Sequence, residues 1–169
     1  MAYFLIIAAV ILRLLPHLPN FAPITAMAIF GGTYLKNRWW AIILPLAAMI
    51  VSDVFIGFYE RPIQASVYLS FFISGFLGLW LRKRKDVGNA MVVTLIASVQ
   101  FFLVTNFAVW AFGTMYPHTG LGLLISYNNA LPFFRNTLLG DFFYVGILFG
   151  LYEFVRYYLG QRTALKQKI

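Results

Sequence analysis

Residues 105–141 read TNFAVWAFGTMYPHTGLGLLISYNNALPFFRNTLLGD. The stretch starts inside an apolar run, leaves it at Gly113 and Pro117, crosses glycines and asparagines, and re-enters apolar sequence at Pro132. Read this way, it is a long outer connection between two membrane helices, half apolar where a plain connection is short and polar. Tyr116, His118, Tyr127, Asn128 and Asn129 place hydrogen-bonding groups along it. A loop of this kind can fold over a cavity as a lid, its apolar residues packing while its amides and rings face a ligand. The alternative is a surface loop that packs on its neighbours.

The rest of the chain supplies the helices this connection would join. A sequence of 169 residues with 62% hydrophobic, 19% aromatic and 11% charged content lies far from the composition of soluble domains. Several runs approach the ~20 apolar residues that cross a ~30 Å hydrocarbon layer. The fold class predicted is all-α: a polytopic membrane protein, one domain over 1–169, a single bundle of about six transmembrane helices with outer capping loops. The spans fall at 2–15, 22–36, 40–58, 64–81, 89–112 and 133–158. The first two are short or broken, with Pro16, Pro19 and Pro23 between them. They suit a hairpin whose tip lies partly in the bilayer, where protein or water satisfies the backbone. The apolar N-terminus has no basic n-region or small-residue cleavage site, so a retained helix is expected there. Cysteine is absent, which excludes disulfides, thiolate metal sites and thiol nucleophiles.

Charge gives the orientation. With the N-terminus inside, Lys36, Arg38, Arg82, Lys83, Arg84, Lys85, Arg156, Arg162, Lys166 and Lys168 fall on the cytoplasmic side, and only Arg13, Arg61 and Arg135 outside. The positive-inside rule predicts that asymmetry, with both termini cytoplasmic. Trp39, Trp40 and Trp80 sit beside the basic loops, where indole rings favour the headgroup layer. The net charge of +8 is therefore topological, and a nucleic-acid partner is not expected. The lipid bilayer is the partner that the composition demands.

Ionisable residues inside hydrocarbon cost about 2.5–3.5 kcal/mol on insertion scales, so they are paired or functional. Arg13, Asp53, Arg135 and Asp141 form the candidate structural set at the outer ends of the helices. Arg135 and Asp141 are six apart and do not share a helix face, so Arg13 is expected to pair with Asp53 or with Asp141. Glu153 and Arg156, three apart, suit a local pair. Asn106 and Trp110, four apart in the fifth span, share a face beneath the connection. The candidate ligand-binding set is therefore Asn106, Trp110, Tyr116, His118, Tyr127 and Asn128, in a cavity to which Phe133 also contributes.

Ser66, Ser70, Ser74 and Gly78 recur every four residues and make one small-residue stripe on the fourth span. Small residues let helices approach closely, either inside this bundle or against another protein. Ala28 with Gly32, and Gly146 with Gly150, are weaker versions. No nucleophile elbow, HExxH or phosphate-binding glycine loop occurs, so no enzyme, cofactor or metal is predicted. His17 and His118 lie in separate connections and are weak as metal ligands.

Three segments together carry a resemblance: RLLPHLPNFAPITAMAIFGG at 13–32, SDVFIGFY at 52–59, and TNFAVWAFGTMYP with LPFFRNTLLGD inside 105–141. They resemble a family of small uncharacterised bacterial membrane proteins grouped with the substrate-binding S components of energy-coupling factor (ECF) vitamin transporters. That resemblance implies a subunit in the inner (cytoplasmic) membrane that takes a vitamin-like micronutrient from outside. It also implies a membrane coupling subunit with ATPases as partner. S components dock that subunit through an AxxxA-type face on the first helix, but here Ala8 is followed four later by Leu12. Two functions follow as expectations. One is a solute uptake protein holding a flat, weakly charged molecule; the other is an accessory or structural subunit of a larger membrane complex, docked through the serine stripe.

Overall fold

The computed structural model describes residues 1–16, 18–58 and 60–166, with side chains to residue 160. All regular structure among them is helical: α1 (Ala2–Leu14), α2 (Ile24–Tyr34), α3 (Arg38–Ile56), α4 (Arg61–Leu81), α5 (Val87–Phe112) and α6 (Gly120–Lys166). Four of these, α3 to α6, are long and apolar enough to cross a membrane. At roughly 1.5 Å per residue, α1 and α2 run only about 20 Å and 16 Å, short of a ~30 Å layer. Six helices are therefore present, and four have spanning length.

The centre of the fold is α2. Its sequence, ITAMAIFGGTY, has no polar face, and a helix apolar all round belongs inside. Every residue from Ile24 to Thr33 is buried, and α2 touches all five other helices. The closest approach is to α4, through the small-residue stripe. A Cβ on Gly32 would meet the Gly75 carbonyl and sit 2.7 Å from the Gly78 carbonyl carbon; one on Gly78 would meet the Ile29 carbonyl. Ser70 and Ser74 are fully buried in the same stripe and return their hydroxyls to their own helix, at Ser66 O (2.8 Å) and Ser70 O (2.9 Å). Across the seam, Thr33 Oγ1 donates to Gly78 O at 3.1 Å. The stripe is thus used inside the chain, and an external partner would have to use another face.

Both ends of α2 are tied down. At its C-terminal end the Arg82 guanidinium donates to Gly32 O (2.7 Å), Leu35 O (2.6 Å) and Lys36 O (3.3 Å), satisfying carbonyls that a helix end leaves open. A basic residue that topology alone accounts for is also the cap of the central helix. Beside it, Tyr34 donates to Glu153 Oε1 at 2.6 Å, and the Lys85 ammonium lies 4.8 Å from the Tyr34 ring centroid. Glu153 is also 3.8 Å from Arg156.

The 105–141 stretch corrects the sequence reading. Only residues 113–119 form a turn; α6 starts at Gly120 and runs on through Pro132. Thr119 caps it, its hydroxyl accepting from the Gly122 N–H at 3.1 Å. Gly122 has to be glycine because a Cβ there would strike the Pro117 carbonyl, so the turn folds directly onto the helix start. Pro132 removes the N–H that would have met Asn128 O and crowds that carbonyl, on a turn of α6 where Asn128 is exposed. The 41 residues Gly120–Gly160 contour about 60 Å, twice a bilayer core. The first part of α6 therefore replaces the expected lid.

Candidate functional site

At the end of the bundle away from the basic loops lies a cavity of about 670 Å³. All six helices line it: the last turn of α1, the first of α2, the later parts of α3 and α5, and the earlier parts of α4 and α6. This volume is that of a small-molecule pocket. Its wall is mostly apolar, with Phe71 and Phe101 stacked at 5.2 Å and Phe102 and Phe134 at 4.5 Å. Thr105, Asn106 and Thr137 add polar groups to the α5–α6 side.

Arg13 stands on the α1–α3 wall and is only 7% exposed. Its Nη2 donates to Asp53 Oδ1 at 2.6 Å, and its Nη1 to Ser52 Oγ and Met49 Sδ, each at 2.6 Å. Asp53 has no solvent exposure. Its second oxygen accepts from Tyr68 OH at 2.7 Å and Gln64 Nε2 at 3.3 Å, so α1, α3 and α4 meet on one carboxylate. Of the two partners open to Arg13, the structure selects Asp53.

Asp141 stands across the cavity on α6, 2% exposed. Ser98 Oγ of α5 donates to its Oδ2 at 2.6 Å, and the Thr25 hydroxyl of α2 also bonds the carboxyl. Among the described residues it forms no ion pair, and Arg135, also expected at this end, is exposed and makes none. A six-residue offset turns the two onto different sides of α6.

Of the expected ligand contacts, Asn106 lines the cavity; its Nδ2 donates to Phe102 O at 2.8 Å, leaving Oδ1 to offer a solute. Phe133 lines it too. Trp110, Tyr116, His118, Tyr127 and Asn128 do not. They lie in the α5–α6 turn or on the helices beside it: Trp110 Nε1 donates to Pro117 O (3.1 Å), His118 Nε2 lies 3.2 Å from Gly113 O, and Tyr127 OH donates to Leu103 O (2.8 Å). Asn129 reaches Tyr116 OH at 3.5 Å. Because residues 120–131 are helix, these side chains brace α6 against α5. His17 lies outside the described residues.

Sequence reasoning missed Thr25, Ser98, Gln64 and Tyr68. Gln64 and Tyr68 have a legible signal: polar groups four apart, just after the Pro62 that opens α4, share one face. Ser98 had a similar one in Thr94, four residues before it; Thr25 had none, being a single hydroxyl in an apolar run. Beneath the cavity, Gln100 Nε2 donates to Ser70 O at 2.9 Å and locks α5 to the stripe.

These features define a class: an all-helical protein of multi-pass membrane type, with a phenylalanine-lined cavity at one end, an arginine already paired to a buried carboxylate on one wall and a carboxylate on the other. The chain belongs to the family of unknown function DUF6580, whose model matches residues 1–164. No curated protein and no solved structure matches it.

Proposed function

We propose that the protein is a membrane solute-binding and uptake protein of S-component type, capturing a flat, weakly charged, vitamin-like micronutrient from outside the cell. The cavity carries this reading. It is large enough for such a molecule, mostly apolar, with a few converging polar groups, which is the make-up of small-molecule sites. No long loop caps the site in this reading; α6 lines the cavity from Ala130 to Asp141. The serine stripe is occupied by α2, which removes the feature that motivated an accessory-subunit role.

Native mass spectrometry of the protein purified in mild detergent tests the proposal. A single co-purifying small molecule is expected in the wild type. Ala130→Trp, which fills the cavity from α6, should reduce its occupancy about tenfold or more. A wild-type protein that carries no such molecule, and gains no thermal stability from any candidate micronutrient, would remove the reading.

In this reading the bundle sits in the cytoplasmic membrane with both termini inside and the cavity facing out. The sequence supports it, with ten basic residues in the segments assigned to the cytoplasmic side against three in those assigned outside. Cysteines placed at 85 and 118 give the check: an impermeant thiol reagent added outside should label position 118 and spare 85. The opposite pattern would invert the topology.

A further inference from the structure

We infer that the solute is a monovalent organic cation, its ammonium seated on Asp141 and its apolar body among the phenylalanines of the cavity. The inference rests on the solute-binding reading and adds the charge class of the solute. It is carried by the different states of the two charged walls. On the α1–α3 wall, Arg13 and Asp53 cancel at 2.6 Å, and Ser52, Met49, Tyr68 and Gln64 take up further donors and acceptors of the pair. An anionic solute would have to compete with Asp53 for a guanidinium already engaged along α3. On the α6 wall, among the described residues, Asp141 has only the neutral hydroxyls of Ser98 and Thr25. Hydroxyls orient a carboxylate without neutralising it, and a lone carboxylate out of water is strongly disfavoured.

A cation in the cavity supplies the missing charge. Phe101, Phe102, Phe133 and Phe134 in the lining add to this, because aromatic rings attract ammonium groups. Asn106 Oδ1 is an acceptor on the same side, suited to an N–H of the solute.

The test uses three probes with one indole body: tryptamine, tryptophol and indole-3-acetate, ending in a cation, a neutral hydroxyl and an anion. Binding to the full-length protein in detergent is read by thermal shift and by intrinsic fluorescence. Tryptamine should bind the wild type about tenfold or more tighter than tryptophol, with indole-3-acetate weakest. Asp141→Asn, which keeps an acceptor for Ser98, should erase the tryptamine preference and leave tryptophol unchanged. If tryptophol or indole-3-acetate binds the wild type as tightly as tryptamine, the cation inference fails while the solute-binding reading stands. If Asp141→Asn keeps the preference, Asp141 is not the recognising group. If no probe binds saturably, the cation inference falls, and the solute-binding reading is decided by the co-purification experiment. Should the variant not fold, the wild-type ranking alone decides.

Discussion

Gly78→Ala is expected to lower the thermal midpoint of the protein by about 6–12 °C, while Gly146→Ala leaves it unchanged. The added methyl is the same; the surroundings differ. At Gly146 a Cβ would meet nothing within 4 Å. At Gly78 it would meet the Ile29 carbonyl and lie 2.9 Å from the Ile29 Cα, and these are backbone atoms of a buried helix that cannot rotate aside. The helices must separate instead. Separation stretches the bond from Thr33 to Gly78 O and pulls Arg82 from Gly32 O and Leu35 O, so the seam and the cap of α2 loosen together. Overpacking of a tight core costs about 1–3 kcal/mol, and the rigid neighbours put this site at the upper end. At about 2–4 °C per kcal/mol for a chain of this size, the stated shift follows. The apolar environment offers no rescue, because association of helices in lipid rests on close van der Waals contact. Ser70→Ala, by contrast, should be nearly silent, since its hydroxyl bonds only to its own helix. Ser74→Leu should resemble Gly78→Ala. A Gly78→Ala protein as stable as wild type would mean that α2 and α4 do not meet in this way.

The stripe shows what kind of structural information the sequence held. Spacing of four identified Ser66, Ser70, Ser74 and Gly78 as a contact face, because small residues on a membrane helix have few other uses. The partner was legible only in part: Ala28 with Gly32 marked a weaker small-residue face on α2, and Gly32 is the residue that meets Gly75 and Gly78, but α2 is apolar on every side and nothing paired that face with the stripe. The helices α3, α4 and α5 were legible within a few residues from apolar length alone. The start of α6 was not, because glycine, asparagine and proline at 120–132 weigh as helix breakers in water-exposed sequence. Here Gly122 serves a close approach to Pro117, and Pro132 gives up one bond on an exposed turn. Thr119 followed by Gly-Leu-Gly was the available signal, an N-cap placed one residue before the helix. The site was legible in its charges and not in its wall. Buried ionisable groups in an apolar chain announce themselves through their cost, which is why Arg13, Asp53 and Asp141 stood out. Which of Phe101, Phe102 or Phe134 faces a cavity depends on the helix rotations that α2 imposes.

Asp53→Ala is expected to cost more than any other polar change at this end of the bundle. Asp53 has no solvent exposure, and its two oxygens gather Arg13, Tyr68 and Gln64 from two other helices. Removing it leaves a guanidinium buried at 7% exposure without its counter-charge, together with a Tyr68 hydroxyl that loses its acceptor, while Gln64 keeps only its bond to Tyr68. Stranding one member of a buried pair costs about 3–5 kcal/mol, or a thermal midpoint about 6–20 °C lower. Arg13→Ala should fall in the same range for the mirror reason, leaving a carboxylate that Tyr68 and Gln64 can orient but not neutralise. The exposed pair Glu153–Arg156, at 3.8 Å, sets the baseline: breaking it should cost about 0–1 kcal/mol. The double variant Arg13→Met, Asp53→Leu separates charge stranding from lost packing. With no charge left to bury, it should recover a large part of the loss, because an apolar pair of similar volume often replaces a buried ion pair at little cost. Recovery will be incomplete, since Tyr68 and Gln64 still lack Asp53 Oδ2. The series is measured by thermal unfolding without added ligand, which keeps it independent of what the cavity binds. If the double variant is as unstable as the sum of the single ones, the pair matters through shape rather than charge, and the α1–α3 wall is then held by Met49 and Ser52 packing around the arginine stem.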